Sequence, residues 1–354
     1  MSDNTFGTPS LFRPLVPSRE AMPTGHAAMP SRARPAGIAL RRAVRTLLMT
    51  LAAASWTIGS AASPASGVES VSTPAARETA DSGAPAHIRP APDIETVRRE
   101  FAHDVTEKTR ERLERMKKRK ALTEAAYAAR LARLTAATDA AYLVQAAQDA
   151  LTRLRPALGE PPISQYFVYV DRNPDRQLIF LGFYDASGGK AELVGGDLVS
   201  TGLLRRGQDS FLTPTGVFEH LPDNFGFRAQ GTKNQHGWRG FGGKGSRVWD
   251  FGFQQSPREF RQGVYESQMR LLMHATDPDQ GEPRLGRMDS KGCVRVSSDM
   301  NRFLDRRSIL DRHYERLAAE KPGLWLLAPD RTPVSAPGSF LVVGDTSAAE
   351  SAAR

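Results

Sequence analysis

The hydrophobic residues of this 354-residue chain recur at helical spacing between residues 93 and 156. The first apolar series consists of Ile94, Val97, Phe101, Val105, Leu113 and Met116, with charged residues between its members. The second consists of Tyr127, Leu131, Leu134, Leu143, Leu151 and Leu154, and Pro156 ends it. Such a period places the apolar side chains on one helix face. We therefore predict an α-helical region at 93–156, formed by one long helix or by two helices in a hairpin or coiled-coil-like arrangement.

Beyond Pro162 the apolar residues form short runs that are separated by Gly, Pro, Asn and Asp. The runs lie at 166–170, 177–183, 192–194, 198–200, 248–251, 269–273 and 324–327. Short runs rich in β-branched and aromatic residues between turn residues are typical of strands. Helices are predicted only at 298–307 and 311–321. The predicted fold class is mainly β, a β-sandwich or barrel with a few short helices.

The first 62 residues are typical of an export signal rather than of a folded domain. Three arginines between positions 41 and 45 precede an apolar run, and small residues at Ser60 and Ala62 fit a cleavage site. We predict a disordered leader with a signal peptide at about 37–62, so the mature protein is expected in the periplasm or cell envelope. An uncleaved membrane anchor is the alternative, because the 17 residues from Thr46 to Ala62 are close to the minimum length for a span.

The remaining segments complete the predicted domain organisation. Residues 63–92 are rich in Pro, Ala, Ser and Gly, which is typical of a flexible linker. The residues able to form a core concentrate between 163 and 330, which predicts one main domain there. Residues 331–354 are interpreted as a C-terminal tail.

The formal net charge of +9 would suit a nucleic-acid partner, but its distribution does not. The basic excess lies in the leader and in the helical region, and residues 156–354 carry a net charge of only +1. No nucleic-acid partner is therefore expected. The basic cluster at 117–120 is interpreted as a solvated helix face. Attachment of the helices to an envelope protein or to an anionic surface is the alternative.

The single cysteine of the chain, Cys293, lies in the run Ser290-Lys291-Gly292-Cys293-Val294-Arg295. A thiol attacks as its thiolate, so a catalytic cysteine needs a neighbouring base or positive charge. His274 lies nineteen residues upstream, and imidazole has a pKa suited to a general base. The N–H groups of Gly292 and Cys293 are candidates for an oxyanion hole, for which a residue without a side chain leaves space. A buried, inert cysteine is the alternative.

These residues resemble the signature of the YkuD-type L,D-transpeptidase catalytic domain, in which a His precedes a Ser/Thr-His-Gly-Cys-aliphatic-Arg motif. The run at 213–218 is similar to the Thr-Pro-x-Gly-x-Phe element of that family. The resemblance covers about residues 163–330 and implies a sandwich of mixed sheets with the Cys motif at the edge of a cleft. It also implies that Cys293 is the nucleophile, that His274 is the base, oriented by the next carbonyl, and that peptidoglycan stem peptides are the substrate.

Three further residues of the motif are candidates for substrate binding. The Arg295 guanidinium can hold a substrate carboxylate with two hydrogen bonds, and Ser290 is expected to hydrogen-bond within the Cys loop. Lys291 stands where the family usually has a second His. Its ammonium would stabilise the thiolate or bind substrate, unless this position marks an inactive relative. Ala275 replaces a Gly that often follows the first His, but it keeps the orienting carbonyl.

The glycine-rich segment at 231–245 is typical of a mobile flap over a cleft, and it contains His236 and Trp238. His236 is the alternative general base. The chain lacks an HExxH-like motif and a cluster of His and Cys at metal-ligand spacing, so neither a metal nor another cofactor is expected.

The sequence therefore predicts a secreted cysteine acyltransferase of the cell envelope, an L,D-transpeptidase that cross-links stem peptides or attaches proteins to them. The motifs leave the acceptor open. With water as acceptor, the same site would be an L,D-carboxypeptidase or an amidase. A noncatalytic peptidoglycan-binding module, attached through the helices, is the alternative from another class.

Overall fold

The computed structural model describes residues 93–205 and 209–347. The predicted leader, signal peptide and linker lie outside the described residues, as does the end of the predicted tail. Within the described ranges, no helix has both the length and the apolar character needed to cross a membrane.

Four helices precede the strands of the described part of the chain. They are α1 (Ile94–Phe101), α2 (Lys108–Lys118), α3 (Glu124–Ala136) and α4 (Ala140–Leu154), with a π-helical segment, Ala102–Glu107, joining α1 and α2. The strands are β1 (Gln165–Asp171), β2 (Leu178–Asp185), β3 (Lys190–Leu198), β4 (Gly216–Glu219), β5 (Phe227–Arg228), β6 (Arg247–Phe260), β7 (Gly263–Ala275), β8 (Val294–Val296) and β9 (Phe340–Gly344). Helices α5 (Ser298–Arg306) and α6 (Arg312–Glu320) lie between β8 and β9.

The helical region is broken twice where the apolar pattern predicted one or two helices. The Thr123 side chain accepts a hydrogen bond from the Ala126 N–H, and Asp139 accepts one from the Tyr142 N–H. These two side chains satisfy N–H groups that have no partner inside a helix, so each starts a new helix. Each of these helix starts depends on a single polar residue, so the spacing of the apolar residues could not predict it.

The strands form two mixed sheets. The first has the order β3-β2-β1-β9-β4, and the second has the order β5-β6-β7-β8. Each sheet contains one parallel pair, β1 with β9 and β7 with β8, and its other pairs are antiparallel. The predicted fold class is thereby confirmed: a β-sandwich-like domain with few helices, preceded by a helical region.

The first sheet is buried on both faces. Along β1, Val168 belongs to the core between the sheets, whereas Phe167 and Tyr169 belong to a second core against the helices. Leu134 and Leu154 supply part of that second core from α3 and α4. Burial on both faces explains why β1 is a continuous apolar run rather than an alternating one. The helical region is thus a layer of the same compact unit and not a separate body.

The apolar run at 324–327 is not a strand, which corrects the prediction for it. Leu326 and Leu327 are buried in a small cluster with Tyr314. The Leu326 carbonyl accepts hydrogen bonds from Arg228 and Arg247, at 2.7 and 2.9 Å, where a strand would need a neighbouring backbone. Burial therefore accounts for Leu326 and Leu327, whereas Trp325 of the same run is 61% exposed.

The first sheet also extends beyond residue 330, where the predicted domain ended. Strand β9 lies between β1 and β4, and Val342 pairs with Tyr169 on one side and Val217 on the other. Residues 340–344 are therefore an interior strand of the sheet rather than part of a tail.

Candidate active site

Cys293 lies directly before β8, the edge strand of the second sheet. Strand β8 pairs in parallel with β7, and His274 is opposite Arg295 in this register. Alternate residues of a strand point to the same face, so Cys293 and Arg295 share the face on which His274 lies. All three side chains line one open cleft of about 570 Å³. The pairing of β7 with β8 thus brings together residues that lie nineteen positions apart in the chain.

The cleft contains most of the site residues predicted from the sequence. Besides Cys293, His274 and Arg295, it is lined by Arg205, Trp238, Gly240, Phe241, Arg284, Asp289, Ser290 and Lys291. Gly292 is buried within the Cys loop and does not line the cleft. His236 is exposed and does not line the cleft, although its flap contributes Trp238 and Phe241.

The orientation of His274 is set by the backbone carbonyl of the next residue. Its Nδ1 lies 2.8 Å from the carbonyl oxygen of Ala275. A carbonyl can only accept a hydrogen bond, so Nδ1 carries the proton and Nε2 is left as the basic nitrogen. The Ala in place of the usual Gly preserves this interaction, in agreement with the expectation from the sequence.

His274 is almost completely shielded from water, with 4% of its surface exposed. The edge of the Phe241 ring contacts its imidazole at a centroid distance of 5.0 Å, and Phe227 packs against Phe241 in turn. This burial lowers the pKa of His274 to about 4; the Ala275 carbonyl opposes the shift and the Arg295 charge adds to it. The imidazole is therefore neutral at pH 7 and can accept a proton.

Burial also raises the pKa of the Cys293 thiol. A hydrogen bond with the Leu272 backbone and the positive charge of Arg295 oppose that shift, whereas Asp250 adds to it. At rest the pair is consequently a neutral thiol beside a neutral imidazole. A proton must leave the sulfur when it attacks, and the His274 Nε2 can accept it.

Hydrogen bonds within the Cys loop fix its backbone. The Ser290 hydroxyl donates to the Cys293 carbonyl at 2.6 Å and accepts from the Gly292 N–H at 3.0 Å. Gly292 has a φ of +127°, and a Cβ atom there would lie 2.9 Å from the Met269 methyl carbon. Only glycine suits this position. Because its N–H is engaged by Ser290, Gly292 contributes to this site through its conformation, and its oxyanion role stays a prediction.

Thr213 connects the two sequence motifs. Its buried hydroxyl donates to the Gly292 carbonyl at 2.7 Å and accepts from the Gly202 N–H at 2.8 Å. The segment around Gly202 also pairs with the loop through its backbone, since the Leu203 N–H donates to the Ser290 carbonyl. The Thr-Pro-x-Gly-x-Phe element therefore supports the Cys loop from behind.

We expect Thr213→Val to destabilise the protein and misplace the Cys loop. The isosteric change leaves a buried N–H and a buried carbonyl without partners, which costs about 1–3 kcal/mol of unfolding free energy. Turnover should fall by about tenfold, because small errors in the position of a reacting group are costly. Chemical denaturation and steady-state kinetics measure the two effects. Thr213→Ser keeps the hydroxyl and should resemble the wild type; equal losses in both variants would contradict this role.

A cluster of guanidinium groups surrounds a single carboxylate at the mouth of the cleft. Asp289 contacts Arg205 at 2.7 Å, Arg284 at 3.1 Å and Arg295 at 3.3 Å. Arg284 also stacks over the ring of Trp238, at 4.9 Å. Arg295 is 9% exposed, and its Nε has no hydrogen-bond partner. Among the described residues that line the cleft, cations outnumber carboxylates, so the cleft suits an anionic ligand.

Arg205, Arg284 and Asp289 were not singled out in the sequence. Asp289 directly precedes the Cys motif, and this adjacency is the signal that could have indicated it. Arg205 lies in a loop and Arg284 ends a short 3-10 helix, Glu282–Arg284. Only the tertiary fold brings both of them to the cleft, so their positions in the sequence give no such signal.

The comparisons with known proteins agree with this geometry. Residues 165–334 match the sequence model of a family described as the L,D-transpeptidase catalytic domain, YkuD. No curated protein matches the chain. The matched segment contains both motifs, the nucleophile candidate and the base candidate. Residues 165–334 of this chain therefore belong to the L,D-transpeptidase catalytic domain family.

Proposed function

We propose that the protein is a cysteine acyltransferase that acts on peptidoglycan stem peptides as an L,D-transpeptidase. The observation that carries this proposal is the pairing of Cys293 with an oriented, neutral His274 in one open cleft. The noncatalytic alternative receives no support from this arrangement. A binding module would gain nothing from burying an imidazole with its basic nitrogen left unused.

In the first half of the reaction, Cys293 attacks the carbonyl that joins an L-centre to the terminal D-residue of a donor tetrapeptide. The thiol proton passes to His274 Nε2 as the carbon–sulfur bond forms. The tetrahedral intermediate then expels the D-amino acid, whose nitrogen takes the proton back from His274. A thioester on Cys293 remains.

In the second half, an amine of a neighbouring stem attacks the thioester carbonyl. His274 accepts a proton from the amine and returns it to the departing sulfur, so that both residues regain their starting state. An amine on an envelope protein would give protein attachment by the same steps. Water as acceptor would give the carboxypeptidase or amidase reaction.

The charge of the cleft supports a carboxylate-bearing substrate. Stem peptides are rich in carboxylates, and the Arg295 guanidinium lines the same cleft as the nucleophile. A guanidinium can bind a carboxylate through two parallel hydrogen bonds. The proposal includes export to the periplasm or cell envelope, because the substrate lies there and residues 37–62 are typical of a signal peptide.

The test is mass spectrometry of purified muropeptides after incubation with the full chain. We expect loss of the terminal D-amino acid together with a product that joins two stems. A truncated stem without a joined product would identify water as the acceptor. An unchanged muropeptide profile, in a sample whose fold is intact, would reject the proposed function.

Lys291 is expected to act on the substrate rather than on the thiol. It is exposed, whereas the cation whose charge opposes the rise of the thiol pKa is Arg295. Lys291→Ala should therefore leave the thiolate absorbance titration unchanged and raise KM, whereas Arg295→Gln should shift the thiol titration to higher pH. Lys291→His restores the usual residue and should stay active. An inactive wild type that Lys291→His rescues would instead show that Lys291 marks a decayed site.

A further inference from the structure

Arg130 extends from helix α3 into the loop that precedes the Cys motif. It is buried, with 5% of its surface exposed. Its Nε donates to the Leu285 carbonyl at 2.9 Å, and its Nη2 donates to the Pro283 carbonyl at 2.8 Å. The remaining nitrogen, Nη1, donates to the Ala126 carbonyl of its own helix. All three side-chain nitrogens of Arg130 are therefore bound by backbone carbonyls.

This placement is unfavourable for a cation. Burial lowers the pKa of Arg130 to about 10, and the positive charges of Arg287 and Arg133 add to that shift. A buried charge is usually paired with an opposite charge, because desolvation is costly. Here the planar guanidinium instead holds two carbonyls of one short segment in a fixed geometry. The arrangement restrains that segment at the expense of the cation's hydration.

The residue between the two held carbonyls is Arg284. Its side chain contacts Asp289 and stacks over Trp238 at the mouth of the cleft. The direction in which Arg284 projects depends on the backbone of Pro283 and Leu285. Gly286, which follows, has a φ of +79° and packs near Arg130. Helix α3 thus determines where one member of the guanidinium cluster lies.

A second arginine of the helical region restrains the same loop. Arg112 of α2 contacts the Glu282 carboxylate at 3.0 Å and the Asp299 carboxylate at 2.6 Å. Glu282 in turn accepts hydrogen bonds from the backbone and hydroxyl of Ser298, at the start of α5. The helices therefore hold both ends of the segment that leads from β7 through the Cys loop to α5.

We propose that Arg130 is a positioning residue of the cleft, which keeps Arg284 in the guanidinium cluster and so maintains a binding site for a substrate carboxylate. The helical region is then part of the catalytic unit rather than an attachment arm. The identity of the carboxylate as one of a stem peptide rests on the proposed function. The positioning itself does not, and it can be measured without a muropeptide.

The test compares two alkylating reagents on the single cysteine of the full chain. Iodoacetate is anionic and iodoacetamide is neutral, and the same thiolate attacks the methylene carbon of either reagent and displaces iodide. The ratio of their rates therefore reports the electrostatic field of the cleft, independently of the thiol pKa. In the wild type the ratio should exceed that of a small free thiol. Arg284→Ala should lower it by about threefold, the scale for removing one charge at close range in water.

The decisive variant is Arg130→Lys, which keeps the charge but cannot hold both carbonyls in a planar fork. We expect it to lower the ratio toward the value for Arg284→Ala. The double variant should fall no further, because both changes act through Arg284. Arg130→Met should lower the ratio of the two alkylation rates in the same way. If the methionine variant fails to fold, as judged by circular dichroism, the lysine variant alone decides the result.

Arg133 on the same helix provides a matched control. It donates to the carbonyls of Pro174 and Asp175, both at 3.1 Å, and neither of these residues lines the cleft. Arg133→Lys and Arg133→Met should keep the wild-type ratio. A wild-type ratio in folded Arg130→Lys would overturn the proposal, as would an equal decrease in the Arg133 variants. Failure of the muropeptide reaction in the wild type would reject the proposed function and leave this measurement unaffected.

Discussion

Replacing Cys293 with Ala is expected to abolish turnover and to leave the fold nearly intact. The sulfur is the atom that would form the thioester, and no other cysteine exists in the chain to replace it. The residue lies at the edge of an open cleft, so its truncation creates little cavity. Turnover of muropeptides, the mass of the intact protein after incubation with donor stem, and the melting temperature are the three measurements.

When the acceptor is withheld, the wild type should gain the mass of the acyl group, which is the donor stem minus the D-amino acid that it releases, and Cys293→Ala should not. Cys293→Ser is the closest control in volume. Its hydroxyl is a far weaker nucleophile than a thiolate, so we expect it to be folded and almost inactive. Muropeptide turnover by Cys293→Ala would end the acyl-enzyme hypothesis outright.

Replacing His274 with Gln should reduce the rate by about two to four powers of ten, the usual scale for loss of general-base catalysis. Glutamine fills a similar volume but cannot accept the thiol proton. His236→Gln is the matched control and should keep the wild-type rate, because that histidine is exposed on the flap and does not line the cleft. A loss below about fivefold in His274→Gln would reject His274 as the base.

The pH dependence provides an independent check on His274. The base works only when neutral, and its pKa is lowered to about 4. The wild-type kcat/KM should therefore remain high down to about pH 5 and fall as the pH drops through 4, rather than near the ordinary histidine value. In His274→Gln this acidic limb should disappear, and the residual rate should rise with pH as the Cys293 thiolate forms. An acidic limb that persists in the variant would belong to another group.

The fold was predictable where a residue pattern reflects burial directly. The runs that became β1, β2 and β7 are apolar because they lie inside the sandwich, whereas Leu326 and Leu327 are apolar because they are buried in a small cluster with Tyr314. Burial without a neighbouring strand gives the same sequence pattern as burial within a sheet. Periodicity therefore predicted a strand at 324–327 that does not form and a separate strand at 198–200, where β3 ends. It did not predict β4, β5, β8 or β9.

The site was predictable as far as its motif extends. Cys293, His274 and Arg295 meet because β7 and β8 are paired, and the motif indicated all three. The guanidinium cluster and Arg130 come from segments far apart in the chain, so their meeting depends on the packing of the helices on the sheet. A nearly neutral net charge for residues 156–354 concealed a strongly cationic cleft, because a sum over a segment loses the position of each charge.

The place of β9 in the first sheet has a consequence for how the chain folds. The sheet pairs β1, near the start of the matched segment, with a strand that lies beyond its end at residue 334. Contacts between residues so distant in sequence make a protein fold slowly, because a long loop must close before the pairing stabilises it. During synthesis one edge of β1 stays unpaired until β9 has been made, and an unpaired strand edge is a site of aggregation. A chain truncated at residue 334 would carry that open edge permanently, so a fragment cut at the family boundary is expected to be insoluble.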